Sequence, residues 1–208
     1  MKVLVLNGSP HPDGCVGRAL KEAVSELEKE GIETETICVG NRDIRGCISC
    51  GSCYGTGKCV FNDIVNEIAP KFEEADGLII GSPVYYGSAN GTLTNLMDRL
   101  FFSTKFSKRM KAGAAVVSAR RGGNTAAFDQ LNKYFTISQM PVASSQYWNQ
   151  VHGFTAEDVE KDREGLQIMR TLGKNMAFLI KAIALAKETY GLPEQEKRVS
   201  TSFPDGLE

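Results

Sequence analysis

Short apolar runs alternate with longer amphipathic segments along almost the whole chain, and this alternation limits the fold more than any other feature. Residues 3–6, 34–39, 78–80, 114–118 and 140–144 read as strands. Runs with little polar interruption, such as 3–6 and 78–80, suit strands buried on both faces of a parallel sheet. The segments between them read as helices. Val16, Leu20, Val24 and Leu27 form one stripe in the first helix, which begins near residue 16 and is closed by Gly31. Asp63 is placed to cap a helix reaching about residue 74. Leu93, Leu96, Met97, Leu100 and Phe101 line the next helix, another spans about 124–135, and a last long one starts near residue 157. The pattern predicts an α/β, doubly wound, five-stranded parallel sheet with helices on both faces, in either of the two common strand orders.

A chain of 208 residues suits one such domain, here 1–190, carrying a Gly- and Cys-rich insertion at 40–61. Residues 191–208 read as a polar tail containing Pro193 and Pro204. With 24 basic and 25 acidic side chains the net charge is −1, so no field favours nucleic acid or an anionic membrane. No apolar stretch approaches the roughly 20 residues of a membrane span. The apolar run at 3–6 is too short for an export signal, so a cytoplasmic location is expected.

Sheets of this kind bind ligands beyond the carboxyl ends of their strands, which directs attention to three loops. The first, Gly8-Ser9-Pro10-His11-Pro12-Asp13-Gly14-Cys15-Val16, lacks both the dinucleotide glycine spacing and a P-loop lysine. The Ser9 hydroxyl and the amides of Cys15 and Val16 would suit a single terminal phosphate, as on a mononucleotide; an ordinary strand-to-helix turn has the same residues. In the second, Pro83, Val84, Tyr85 and Tyr86 could wall a planar ring, with Gly87 allowing close amide approach. The alternative is that both tyrosines pack on the next helix. In the third, Ser118 precedes Arg120, Arg121, Gly122 and Gly123, where guanidinium groups could meet ring carbonyls, receive a nucleotide phosphate, or simply face solvent.

Taken in order, Leu6-Asn7-Gly8-Ser9-Pro10, Gly81-Ser82-Pro83-Val84-Tyr85-Tyr86-Gly87-Ser88 and Leu96-Met97-Asp98-Arg99 give a chain that resembles the NAD(P)H-dependent FMN reductase and iron–sulfur flavoprotein branch of the flavodoxin-like superfamily. The resemblance implies strand order 2-1-3-4-5 and FMN as cofactor. It also implies phosphate contacts at Ser9, His11, Cys15 and Val16, and ring contacts at Pro83, Val84, Tyr85, Tyr86, Gly87, Ser118, Arg120, Arg121, Gly122 and Gly123. Relatives often carry Arg or Lys in place of His11, and Asn or Ser followed by Thr in place of Cys15-Val16. Side-chain phosphate contacts are therefore fewer here, while the amides stay.

Cys47, Cys50, Cys53 and Cys59 crowd into thirteen positions. Two-residue gaps let three thiolates wrap a cubane cluster, with the fourth arriving from a spacer, and Gly51, Gly55 and Gly57 supply unusual backbone angles. The spacing is similar to that holding a [4Fe–4S] cluster in iron–sulfur flavoproteins. Zinc, free thiols and a disulfide are the other readings of four such cysteines. Cys15 and Cys38 read as small buried hydrophobes. Trp148 is expected to line the ligand cavity or pack in an aromatic loop, and His152 to donate a proton or lie at the surface. Lys105 to Lys111 reads as a solvated basic turn.

The implied function is FMN-dependent electron transfer from NAD(P)H, or from a bound cluster, to a quinone, a nitro- or azo-aromatic, or a redox protein. A non-enzymatic electron carrier and a zinc-containing domain without flavin are the alternatives. A homodimer or homotetramer is expected.

Overall fold

The computed structural model describes residues 1–197, 199 and 201. β1 (Lys2–Asn7) runs parallel to β2 (Glu33–Cys38) on one side and to β3 (Gly77–Tyr85) on the other. β5 (Ala112–Ala119) continues the sheet beside β3, and β6 (Gln150–His152) closes it, giving the order β2-β1-β3-β5-β6. A two-residue strand, β4 (Ser88–Ala89), folds back antiparallel on the end of β3. With β4 set aside, the order is the flavodoxin-like one.

Strand side chains alternate between faces, and the core divides accordingly. Val3 and Val5 join Ile79, Ala114 and Val116 beneath α1 (Cys15–Lys29) and α7 (Arg163–Tyr190). Leu4 and Leu6 join Leu78, Ile80 and Val117 beneath α3 (Ile64–Glu74), α4 (Gly91–Ser103) and α5 (Asn124–Ile137). At the edge, β2 carries Glu33 and Glu35 and is only half-buried, which discourages pairing with another sheet. No described helix is long and apolar enough to cross a membrane. Asp63 caps α3 by accepting the Val65 N–H at 3.1 Å.

Four expectations change. First, β3 does not stop at residue 80 but runs to Tyr85, and Tyr86 and Gly87 make the turn into β4 with φ of 51° and 76°. Positive φ at both central residues is the backbone of a primed hairpin turn, which matches strand twist. Second, residues 140–144 form no continuous strand. Gly113 N–H reaches the Pro141 carbonyl and Ala143 N–H the Gly113 carbonyl, one bridge brings Val142 to Gly113, and the chain then loops out until β6. Pro141 has no N–H to extend the ladder. Third, the last helix is divided: α6 (Ala156–Val159) begins in a capping box of Thr155 with Asp158, and Asp162 then caps α7. Fourth, the basic turn is not fully solvated. Lys108 is buried with its ammonium 4.5 Å from the Phe106 ring centre and 5.7 Å from that of Phe101. The tail residues 191–197 add no strand or helix, and Pro204 lies outside the described residues.

Burial pushes the Lys108 ammonium down to about 8. A lysine depressed in the folded chain opposes folding below that pH, and the opposition fades as pH rises from about 8 towards the unfolded value. Lys108→Met is expected to stabilise the protein at pH 7 by at most about 3 kcal/mol. Urea unfolding between pH 7 and 10 should show stability rising with pH in the parent chain and a flatter profile in the variant.

Candidate functional site

The crossover from β1 to β2 leaves on one side and the return to β3 passes to the other, so the carboxyl ends of β1 and β3 form the switch point of the sheet. A cleft of about 660 Å³ opens there. One wall is the first loop. Ser9 N–H donates to Asn7 Oδ1 at 2.9 Å, His11 N–H donates to Ser9 Oγ at 3.1 Å, and Asn7 Nδ2 holds the Pro12 carbonyl at 3.1 Å. Gly17 makes this folding possible, because a Cβ there would lie 1.8 Å from the Pro12 oxygen.

The loop ends at Gly14, which begins α1 without any side-chain cap, and no acidic residue occupies the first turn. The amides of Cys15, Val16 and Gly17 come before the first helical hydrogen bond and have no side-chain cap at the positive end of the helix dipole, although Asp13 and Glu157 also line the cleft. Burial pushes the Cys15 thiol up, against an opposing hydrogen bond with Ser118, so the thiol stays neutral beside those amides.

Pro83, Val84 and Tyr85 form the second wall, with Ser118, Ala119 and Arg120 beyond them. The third wall is Gly153 to Glu157, and the Arg120 guanidinium sits 5.9 Å from the Phe154 ring centre. Thus Ser9, His11, Cys15, Val16, Pro83, Val84, Tyr85, Ser118 and Arg120 share one cavity. Tyr86, at the hairpin tip, is fully exposed, and Gly87 packs against Gly123. Among the described residues, Tyr86, Gly87, Arg121, Gly122, Gly123 and Trp148 are not in the cleft lining. Trp148 stacks edge-on with Tyr147 at the surface instead.

A second pocket lies beside the C-terminal half of α4. Cys47, Cys50, Cys53 and Cys59 all line it, with Ile48, Phe61 and Phe102 as apolar walls. Gly51 has positive φ, as the sharp turn into the short helix α2 (Ser52–Thr56) requires. Hydrogen bonds from Ser52 hold the Cys50 thiol below its usual range, and Ser49 N–H approaches Cys47 Sγ at 3.4 Å. All four are free cysteines. No three described His, Cys, Asp or Glu side chains converge as tightly as one metal ion needs, which for zinc means sulfurs about 3.8 Å apart. A cubane spreads its thiolates over separate irons, so it does not require the side chains to meet at one point, and all four thiols line the same pocket. Cys15 and Cys38 are half-buried, not buried.

A larger groove, about 1240 Å³, follows α4 and α5 towards Gln195, Glu196, Lys197 and Val199. It lacks the free helix amides that mark the cleft at the switch point.

The family model for NADPH-dependent FMN reductases matches residues 1–155. The chain belongs to that family. An iron–sulfur flavoprotein of Methanocaldococcus jannaschii is 38% identical over 191 residues, covering 88% of this chain and 99% of that one. The structure of RosB with a bound formylated riboflavin phosphate intermediate superposes with a TM-score of 0.70 at 16% identity, covering 98% and 94% of the two chains. An archaeal flavodoxin superposes at 0.59 and 18% identity, over 87% of this chain and 99% of the flavodoxin. The protein is a flavin-dependent oxidoreductase with the flavodoxin-like fold, and FMN is the cofactor of its family.

The donor set fits that cofactor: uncapped amides and the Ser9 hydroxyl for a phosphate, and Pro83, Val84 and Tyr85 for a ring. Sequence reasoning missed the wall at Phe154, Thr155, Ala156 and Glu157. The Thr155-x-x-Asp158 spacing was its one available sign, since a capping box marks a helix start beyond a strand end. In an FMN reductase built this way, Gly14→Asp would supply the missing cap from within the chain. We expect the flavin-free protein to gain a few tenths of a kcal/mol and FMN affinity to fall at least tenfold, measured by flavin fluorescence quenching.

Proposed function

We propose that this FMN reductase family member is a two-centre electron relay, with FMN in the switch-point cleft and a [4Fe–4S] cluster on Cys47, Cys50, Cys53 and Cys59. The observation that carries the reading is that all four thiols of the loop line one apolar-walled pocket, separate from a cleft of free helix amides. In the proposal, Ser9, His11, Cys15 and Val16 receive the phosphate, and Pro83, Val84 and Tyr85 face the ring. Ser118 and Arg120 meet its polar edge, Gly123 and Gly87 pack behind Val84, and Tyr86, Arg121 and Gly122 stand at the rim.

FMN held there would take a hydride from NADPH or NADH and release electrons singly or in pairs. The chain's own part is to hold and to screen. Helix amides offset the phosphate charge without a lysine, the neutral Cys15 thiol adds no repulsion, and Arg120 on Phe154 places a cation at the mouth. A quinone, a nitro- or azo-aromatic, or a redox protein is the proposed acceptor, and the cytoplasm the proposed location. Ile48, Tyr54 and Phe102, exposed beside the cysteine pocket, favour a homodimer or homotetramer. The proposed functional unit is 1–190.

Anaerobic purification should yield yellow-brown protein with about one FMN and about four irons and matching sulfide per chain, the content of a cubane on four cysteines. Cys47→Ser and Cys50→Ser should each lower iron below half while flavin stays bound. NADPH or NADH should reduce menadione in the presence of the protein. Colourless material that takes up no FMN would overturn the flavin site, and flavin without iron would overturn the second centre.

A further inference from the structure

Arg99 is the bulkiest fully buried side chain among the described residues, with only 1% of its surface exposed. A buried guanidinium needs a partner for each edge. The two terminal nitrogens of Arg99 grip Asp63, at 2.7 Å to Oδ2 and 2.9 Å to Oδ1, and one also donates to the Arg45 carbonyl at 3.2 Å. The remaining edge, Nε–H, points to Cys59 Sγ at 3.2 Å. Both Arg99 and Arg45 lie over the Phe61 ring, 5.0 and 4.6 Å from its centre, so the side chain is fixed from below as well.

Cys59 is held a second time through its backbone. Its N–H donates to Asn66 Oδ1 at 3.0 Å, and Asn66 Nδ2 donates to the Cys59 carbonyl at 3.0 Å. None of the other three thiols has a comparable double hold: Cys47 and Cys50 are exposed, and α2, which carries Cys53, has no buried residue. One ligand is therefore fixed in advance, and three stand on an exposed turn.

We propose that Arg99 is the positioning residue of the cysteine centre: it anchors Cys59, and its Nε–H, aimed at that sulfur, raises the reduction potential of the bound cluster. This rests on the cluster reading above. Reduction adds an electron whose charge spreads onto the thiolate sulfurs. A donor on a sulfur, inside low-dielectric surroundings, favours that more negative state. The Asp63 carboxylate sits on the far side of the guanidinium and opposes the effect more weakly, because it is farther from the sulfur. The pair thus acts as an oriented dipole with its positive end on Cys59.

Removing either end should shift the potential in opposite directions. Full-length protein, reconstituted anaerobically, would be titrated by spectroelectrochemistry with cluster electron paramagnetic resonance as the signal. Arg99→Gln is expected to lower the ratio of reduced to oxidised cluster at a fixed potential at least tenfold, about 59 mV for one electron. Asp63→Asn, which keeps an oxygen to cap the Val65 N–H, should raise that ratio. Arg99→Lys should fall between Arg99→Gln and the parent, since it keeps the charge but not the fork. Should Arg99→Gln not fold, the direction of the Asp63→Asn shift decides alone.

A purely structural role would lower iron content and leave the potential of the remaining cluster in place. Unchanged potentials in four-iron variants, or shifts of the same sign in Arg99→Gln and Asp63→Asn, would overturn the proposal while the cluster stands. A parent protein that binds no iron or sulfide would overturn both.

Discussion

An α-helix starts with backbone N–H groups that nothing inside it can satisfy, and α1 starts at a glycine that has no side chain to offer them. This single unmet demand organises the ligand end of the molecule. The loop before it folds so that its own acceptors are used elsewhere: Ser9 Oγ takes the His11 amide, and the Pro12 carbonyl takes Asn7 Nδ2. Gly17 must be a glycine for Pro12 to come so close. What remains is a set of donors facing a cleft, placed by the sheet at the one point where the crossovers part. In the proposed site, the phosphate of the family's cofactor would answer that demand with an anion instead of a protein side chain.

The cysteine pocket is built on the opposite logic. There the charged groups are satisfied first, Arg99 by Asp63 and Asp63 by the start of α3, and the sulfur receives what is left. The walls are apolar, and the binding groups are soft thiols instead of amides. A site of free dipoles suits a hydrated anion with fixed charge. A site of thiols behind a neutralised ion pair suits a group whose charge changes by one electron.

Much of this was legible in the sequence, and the failures share a cause. The alternation of Val3 and Val5 with Leu4 and Leu6 gave β1 and both of its faces, because a buried strand has to satisfy two helix layers at once. Asp63 as a cap was readable because capping is local. The end of β3 was not: Gly81-Ser82-Pro83 has turn composition, yet pairing with β5 up to Ser118 carries the strand on, and Pro83 is tolerated where the partner needs no donor from it. Residues 140–144 have strand composition, but β5 offers them one bridge before the chain leaves. Lys108 looked solvated because Lys105, Arg109 and Lys111 surround it in sequence, while its ammonium lies over the rings of Phe106, two residues before it, and Phe101 on α4. Nine of the fourteen expected flavin-contact residues share the cleft because strand ends converge, whereas Tyr86, Gly87, Arg121, Gly122 and Gly123 fall outside its lining; the wall from Phe154 to Glu157 was missed because it reaches the cleft through β6, the strand that composition misplaced. Arg99 was visible only as part of a four-residue motif, since its role depends on Cys59 and Asp63, 40 and 36 positions away.

α4 joins the two sites mechanically. Asn90 caps it just after the hairpin that ends β3, by accepting the Thr92 N–H at 2.7 Å, and the Asn90 amide is itself held by the buried Ser82 hydroxyl at 2.8 Å. Ser82 directly precedes Pro83 on the cleft wall. Nine residues beyond Asn90 stands Arg99, roughly 13 Å up the axis at 1.5 Å per residue. The cleft wall and the cysteine pocket are therefore fixed to opposite ends of one buried helix, whose Leu93, Leu96, Met97 and Leu100 are locked into the core. A rigid helix of that kind sets the relation of each pocket to the sheet independently of what the exposed cysteine turn does. In the proposed cluster site three thiols stand on a surface turn while Cys59 is held still, by Arg99 on α4 and Asn66 on α3.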